Sequence, residues 1–368
     1  MIKYLGSKRR LVPLLGELIT GLGDVRVVVD LFSGSARVGQ GLKARGCRVI
    51  ANDHTAFAAT LARCSIEADD DVADDAARLI AELNGLRGVD GWFTERYARR
   101  ARFFQVENAT RMEAIRQRIA SLALPPTLEA VVLTSLLEAA DRVDSTCGVQ
   151  MAFLKRWSAR SSNPLELRLP TLLPVSPHGP GRALCADALD AAAALDDVDV
   201  DVVYLDPPYN RHSYLGNYHV WETLVRFDAP EVYGAVQKRR DVQTRKSPFN
   251  RRSAFVGALA AVVDRLRARH LVVSWSNEGA IAADELVAVL SRRGPVRLAA
   301  EVAIPATSAR ASVSTIGAVS ASRTRPTSTP SNMSSSSMSR RRRGHDRMMT
   351  EPRRSVDAAP SSPDTDGP

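Results

Sequence analysis

Leu11, Leu14, Leu15, Leu18 and Ile19 recur at helical spacing within residues 9–21, and Pro13 falls early enough to sit in a first turn, so the chain opens on a helix that faces a core. Residues 25–32 (VRVVVDLF) are a β-branched run of strand length. A small-residue turn and a helix ending near Gly46 follow, and residues 47–53 (CRVIAND) make the next strand. Strand, helix and strand in so short a stretch predict the parallel crossover unit of an α/β sheet. From about Thr55 to Pro170 the pattern turns helical, with apolar faces such as Leu128, Val131, Val132, Leu136 and Leu137 and no clear strand pairs. That stretch reads as a helical insertion. Strands resume at residues 201–206 (DVVYLD), 270–276 (HLVVSWS) and 296–304 (VRLAAEVAI), with amphipathic helices around 253–268 and 283–293. Beyond Ile304, Ser, Thr, Arg, Pro and Ala dominate, a composition too poor in large apolar side chains to offset the entropy of ordering, which predicts disorder.

Composition narrows the function classes only slightly. The formal charge of +9 suits a polyanionic partner, yet ten Arg against five acids from Val302 onward leave the body at only +4. Cys47, Cys64, Cys147 and Cys185 lie far apart without paired metal-ligand spacing, so no zinc site and no disulfide framework is expected. No apolar leader and no run near the ~20 residues of a membrane span are visible, and the expected setting is the cytoplasm, with no membrane and no metal.

The strongest chemical signal is Asp206-Pro207-Pro208-Tyr209, placed just after a buried strand. A charged residue at a strand's carboxyl end in an open α/β sheet sits where ligands bind. An exocyclic amine such as that of adenine is a poor nucleophile because its lone pair is delocalised into the ring. The Asp206 carboxylate and the Pro207 carbonyl could accept its N–H bonds and draw the lone pair out of conjugation toward an electrophilic methyl. The prolines stiffen the loop, and Tyr209 offers a stacking face to a base flipped out of a duplex. The plainer reading is a proline-stiffened turn. A second signal is Asp30-Leu31-Phe32-Ser33-Gly34-Ser35, with Gly39 in the following helix and Asp53 at the end of the next strand. Small residues admit a ligand to the backbone, and an acid at that position can hold ribose hydroxyls. The full Gly-x-Gly-x-x-Gly fingerprint is missing, which counts against NAD, and the lesser reading of Asp53 is a turn or cap residue before Thr55.

Together with Lys3-Tyr4-Leu5-Gly6-Ser7-Lys8, these motifs over residues 1–304 resemble the adenine-specific DNA methyltransferases of the bacterial DNA adenine methylase type, the Asp-Pro-Pro-Tyr class. The resemblance implies a class I S-adenosylmethionine-dependent methyltransferase (Rossmann-like) α/β sheet with a helical insertion. Residues 1–65 and 171–304 would form the catalytic domain, 66–170 the inserted and candidate target-recognition region, and 305–368 a disordered tail. It implies S-adenosyl-L-methionine as cofactor, double-stranded DNA as partner and direct displacement without a metal. By the same resemblance Tyr4 and Lys8 contact the cofactor, Lys8 near its carboxylate. Asp30, Phe32, Gly34 and Ser35 line its turn, Asp53 holds its ribose and Asp187 its adenine ring, and Asp206 lies between cofactor and base. Taken singly, Lys8 would be a solvated lysine and Asp187 a turn residue. A companion restriction endonuclease is left open.

The segment 213–222 (SYLGNYHVWE) reads as the loop and helix that close over a flipped base, although core packing explains Trp221 almost equally well. Lys238-Arg239-Arg240, Arg245-Lys246 and Arg251-Arg252 could neutralise phosphates, with Arg142 and Lys155-Arg156 as weaker candidates. Family members usually end on another sheet strand, whereas order here is expected to stop near Ile304. In GC-rich codons the alternative frame of residues 306–314 can be written to resemble what related enzymes carry there, so the tail reads either as out of frame, with the sheet short of a strand, or as a genuine arginine-containing extension. Two rival functions stand beside the DNA reading: a ribosomal RNA base methyltransferase, and a noncatalytic DNA-binding remnant disabled by its C-terminus. Cytosine methylation fits less well because Asp rather than Ser opens the motif.

Overall fold

A computed structural model describes residues 2–208, 213–276, 281–304 and 312–320. By contacts the chain divides after Arg323, and the first unit carries the sheet and its helices. Its strands in chain order are β1 (Val27–Asp30), β2 (Arg48–Asp53), β3 (Arg182–Cys185), β4 (Val200–Leu205), β5 (Val232–Tyr233), β6 (Lys238–Arg239), β7 (Ala268–Ser276), β8 (Val296–Ile304) and β9 (Ser312–Ser320). Seven of them form one sheet in the order β3-β2-β1-β4-β7-β9-β8, and β5 and β6 make a separate hairpin. The strands from β3 to β7 in that order pair in parallel, while β9 runs antiparallel to both β7 and β8.

The central strands read as continuous apolar runs because helices cover both faces. All six residues of β4 are buried. On one face α1 (Val12–Thr20) and α2 (Arg37–Lys43) place Leu15, Ile19, Val38 and Leu42 against Val28, Val49 and Val202. The opposite face carries α8 (Ala188–Ala193), α11 (Arg252–Arg265) and α12 (Ala283–Leu290), with Phe255, Leu259 and Leu290 packed on Val29, Val203 and Val273.

Between β2 and β3 lie α3 (Ala56–Ala62), α4 (Ala73–Asn84), α5 (Trp92–Thr94), α6 (Val106–Ser121) and α7 (Pro126–Val143). The expected helical insertion is present, but it shares one apolar core with its surroundings. Phe93, Tyr97, Ile115 and Leu136 pack with Phe57 of α3 and with Trp221 and Leu224 of α10 (His219–Arg226), which follows the short α9 (Tyr214–Asn217).

The β5–β6 hairpin and two strands of the main sheet were not read from the sequence. The first of the two is β3 at the sheet edge, where only Ala183 of its four residues is buried. The second is β9, and it corrects the expectation that order stops near Ile304 and that the sheet lacks a strand. The local composition around it is small and polar, but Ile316, Ala318 and Val319 are buried, and the backbone pairs on both sides, Val272 with Ala318 and Leu298 with Gly317. Two neighbouring strands pair with backbone groups that a solitary polar segment would leave to water. Residues 305–311 and 321–368, which carry the rest of the expected tail, lie outside the described residues.

Ile316 is buried in the core on one face of the sheet, in one cluster with Tyr204 and Val272. Ile316→Ala is expected to lower unfolding free energy by about 2–5 kcal/mol in urea denaturation, as for other buried large-to-small changes; a loss no greater than at an exposed site would mean that β9 is not built into the core.

Candidate active site

The order of the sheet reverses between β1 and β4, and an open parallel sheet binds ligands beyond its carboxyl ends at such a switch point. Here Asp30 ends β1, Asp53 ends β2, and Asp206 follows β4 directly. A cleft enclosing about 790 Å³ of space, open mouth included, is lined by these acids, by Tyr4, Lys8, the turn Phe32-Ser33-Gly34-Ser35, Asp187, Pro208 and Tyr214, and by Phe249.

The acids are held in different ways. Asp30 is 1% exposed; its Oδ2 accepts from the Gly39 amide at 3.1 Å, and its Oδ1 has no partner among the described residues. Burial, followed by repulsion from Asp206, pushes its carboxyl up to about 7. Asp53 accepts from the Gly34 amide with Oδ2 (3.2 Å) and from the Thr55 amide (2.9 Å) and hydroxyl (2.8 Å) with Oδ1, so it fastens the turn after β1 to the start of α3. Asp206 Oδ2 lies 2.8 Å from the ammonium of Lys8, which is itself buried, while Oδ1 has no partner among the described residues. Burial raises the Asp206 carboxyl above its ordinary range, and Lys8 opposes that rise.

Tyr4 joins a triangular cluster of three rings, 5.2 Å from Tyr214 and 5.0 Å from Tyr218 between centroids, with planes within 15° and 7° of parallel, while Tyr214 and Tyr218 lie 6.4 Å from each other. Its other side limits the turn: a Cβ on Gly34, whose φ is +49°, would come within 3.0 Å of the Tyr4 ring. Glycine is required there both by backbone and by space. At Gly39 a Cβ would meet the Ile66 Cδ1 at 2.5 Å, so a larger residue there would have to displace that side chain.

The structure therefore brings Tyr4, Lys8, Asp30, Phe32, Gly34, Ser35, Asp53, Asp187, Asp206 and Pro208 to one cleft, with Pro207 buried beside it. Tyr209 lies outside the described residues. Asp187 is exposed and caps α8 by accepting from the Leu189 amide at 3.0 Å, so its turn reading and its place at the cleft hold together. The reading of Lys8 as a solvated lysine is overturned by its burial against Asp206.

Other expectations are corrected. Trp221 is buried in the helical core, 6.2 Å from Phe104, and does not face a flipped base. Arg239 is 1% exposed, held by Asp228 at 2.8 Å through both terminal nitrogens and by Asp241 at 3.0 Å, so it is unable to reach a phosphate. Arg245 donates to buried Glu222 at 2.9 Å and to the His54 carbonyl at 3.3 Å. Arg240, Lys246, Arg251 and Arg252 are exposed. Acids two and four positions away along the sequence were the available sign that Arg239 and Arg245 serve internal pairs.

Two contributors went unread. Asn52 donates to the Leu31 and Ala186 carbonyls and accepts from the Ala186 amide, all at 3.2 Å, tying the carboxyl ends of β1, β2 and β3 together. Its signal was an amide side chain inside an apolar strand. Phe249 meets Phe32 edge-on at 5.0 Å and continues through Phe255 to Trp275, a pairing that no local pattern marks.

Unpartnered buried oxygens on Asp30, Ser33 and Asp206, beside aromatic faces and a glycine turn, suit a ligand that carries positive charge, hydroxyls and a ring. Among the described residues no cluster of three potential metal ligands occurs, and no helix is long and apolar enough to cross a membrane. The sheet and its cleft define a class I S-adenosylmethionine-dependent methyltransferase fold. Residues 4–288 match the D12 class N6 adenine-specific DNA methyltransferases, and the chain belongs to that family. It is 30% identical over 312 residues to the type II methyltransferase M.FokI of Planomicrobium okeanokoites, covering 80% of this chain and 47% of the relative. To the type II methyltransferase M.NlaIII of Neisseria lactamica it is 27% identical, covering 80% and 89%. The chain thus spans about half the length of the first relative and most of the second. Among solved structures, the rRNA methyltransferase aviRa of Streptomyces viridochromogenes aligns over 85% of both chains at 17% identity and a TM-score of 0.31, too low to carry an argument.

The folded chain keeps the Asp30 proton up to about 7, whereas an ordinary carboxyl loses it from 3.8 upward. This group therefore makes stability fall as pH climbs between those values and level off above them. Asp30→Asn stays neutral and keeps an acceptor for Gly39, so in urea denaturation the variant should gain on the parent between about pH 5 and about pH 8. An unchanged difference at the two pH values would show that Asp30 ionises normally.

Proposed function

We propose that this protein transfers methyl from S-adenosylmethionine to the exocyclic N6 amine of adenine in double-stranded DNA, as a site-specific modification enzyme with Asp206-Pro207-Pro208-Tyr209 as its catalytic motif. The observation that carries the reading is the Asp206 carboxylate at the switch point, one oxygen on Lys8 and the other unpartnered toward the cleft. The cofactor supplies an electrophilic methyl. Asp206 Oδ1 and the Pro207 carbonyl accept the amine's N–H bonds and turn its lone pair toward that methyl, and buried Pro207 keeps the acceptors from drifting. Holding donor and acceptor in line can itself supply ~7–11 kcal/mol in favourable cases.

The roles of the remaining residues follow the cleft. Asp53 meets ribose hydroxyls beside the Gly34 turn, Asp187 and Phe32 flank the adenine ring, and Asp30 and Ser33 face the charged end. Tyr4 and Lys8 close the site from the N-terminal segment, Lys8 serving both Asp206 and, by the family resemblance, the cofactor's carboxylate. Names of relatives such as M.FokI and M.NlaIII support a modification role of the type II kind.

The test is transfer of labelled methyl to unmethylated duplex DNA, with ribosomal RNA as competing acceptor. Labelled N6-methyladenine is expected in the DNA, and Asp206→Ala should reduce the rate by at least about 10²–10³-fold, the usual cost of removing one preorganised polar contact to a transition state. Label appearing in RNA alone, or a folded protein that binds neither cofactor nor DNA productively, would overturn the reading.

A further inference from the structure

Lys8 is the cation that the family resemblance sets against the cofactor's carboxylate, but the structure gives it another task. Its ammonium lies 2.8 Å from Asp206 Oδ2 and 3.4 Å from the Gly6 carbonyl, and Asp30 feels the same charge. A further carboxylate brought against Lys8 would meet repulsion from the acids already grouped there. Arg37, which opens α2 just past the Gly34 turn, is a second cation lining the cleft.

The backbone is strained to put Arg37 in that place. Ala36 is fully buried and left-handed at φ +59°, two residues after Gly34 at +49°. A residue with a Cβ is disfavoured in that region, and such strain gathers where a site needs a fixed direction. The Ala36 amide donates to the Ser33 carbonyl at 2.7 Å, closing a reversal from which α2 starts with the Arg37 side chain at the cleft wall. Arg37 Nη1 donates to Gln40 Oε1 at 2.7 Å, which holds the guanidinium from one side. Nε, shut off from bulk solvent, has no partner among the described residues, and Nη2 takes none there either. Nε and Nη2 form the side-on edge of a guanidinium, two parallel N–H groups matched to the two oxygens of a carboxylate. Burial is the main influence on the group and lowers its pKa from the ordinary value; Glu138 of α7 attracts it through space and Arg9 repels it. A half-buried cation with an open bidentate edge is one half of an ion pair.

The other half of an amino-acid head group also finds its partner close by. Asp30 Oδ2 accepts from the Gly39 amide at 3.1 Å, inside the same helix, and Oδ1 has no partner among the described residues. An α-amino acid carries its ammonium and carboxylate on one carbon, so the groups that bind them must stand on adjacent elements, as the end of β1 and the start of α2 do. We propose that Arg37 is the carboxylate partner of the cofactor's amino-acid head group, with Lys8 kept for Asp206. The inference rests on the methyltransferase reading and divides between two side chains the work that the resemblance gives to one. On this division Arg37 sets affinity for the cofactor, while Lys8 sets the state of Asp206.

The experiment uses the full chain without DNA and compares, by isothermal titration calorimetry, S-adenosylmethionine with its decarboxylated form. The parent should bind S-adenosylmethionine more tightly. Arg37→Gln should lower affinity for it by about 10–100-fold, as expected for lost hydrogen bonds between charged groups, and leave affinity for the decarboxylated ligand as in the parent. The thermal midpoint of the free protein should not move, and Arg37→Lys should restore part of the loss. Lys8→Gln should keep the parent's preference between the two ligands. A parent without that preference, a preference retained in Arg37→Gln, or one lost in Lys8→Gln instead would overturn the assignment. So would an equal loss of both ligands in Arg37→Gln, which marks a distorted cleft rather than a missing carboxylate contact. A parent chain that binds neither ligand would overturn the functional reading itself, and the role of Arg37 with it.

Discussion

Three carboxylates, Asp30, Asp53 and Asp206, close neighbouring strands of one sheet, and the ammonium of Lys8 stands among them. Uncompensated charge at such a site is costly, because removing carboxylates from water costs several kcal/mol each unless charge or hydrogen bonds replace the lost hydration. Each acid escapes that cost differently. Asp53 spends both oxygens on the backbone and hydroxyl groups of Gly34 and Thr55, Asp206 takes Lys8, and Asp30 is shifted toward its neutral form. The result is a cleft whose remaining unpartnered oxygens are preorganised acceptors for a cationic ligand and an amine.

The constraint reaches outward through the elements that hold Lys8. Tyr4 packs against both Tyr214 and Tyr218, and the Leu5 amide donates to the Tyr218 hydroxyl, so the N-terminal segment is fixed by residues just beyond the Asp206 motif. Those residues are in turn part of the helical core that includes α3, α7 and α10. Glu222 adds a polar tie at the same place, accepting from the Phe57 amide at the start of α3 and from Arg245. The inserted helices therefore do not line the cleft themselves but pack behind the segments that do.

Arg239 and Arg245 show why net charge was a weak guide. A guanidinium counts as +1 whether it is solvated or spent on Asp228, Asp241 and Glu222, yet only the solvated one attracts phosphate. Arg239 in β6 is spent on Asp228 just beyond α10, and Arg245 after β6 on Glu222 of α10 and on the turn after β2. Exposed charge free of neighbouring acids, as at Lys155 and Arg156, carries more information than the sum over the chain.

The sequence by itself determined the elements that local periodicity encodes. The apolar run of β1, the glycine turn, α2 and β2 were legible together, as were β4, β7, β8 and the Asp206 motif, because strand and helix periods are properties of a few adjacent side chains. Tertiary structure alone decided matters that depend on partners distant in sequence. The segment of β9 is small and polar and becomes a strand because β7 and β8 flank it with complementary backbone groups. Lys8 looks like any surface lysine until the sheet places Asp206 beside it. Trp221 joins a core rather than a substrate because α6 and α7 arrive over it. In each case the deciding term is burial against a remote neighbour, which a one-dimensional pattern does not contain.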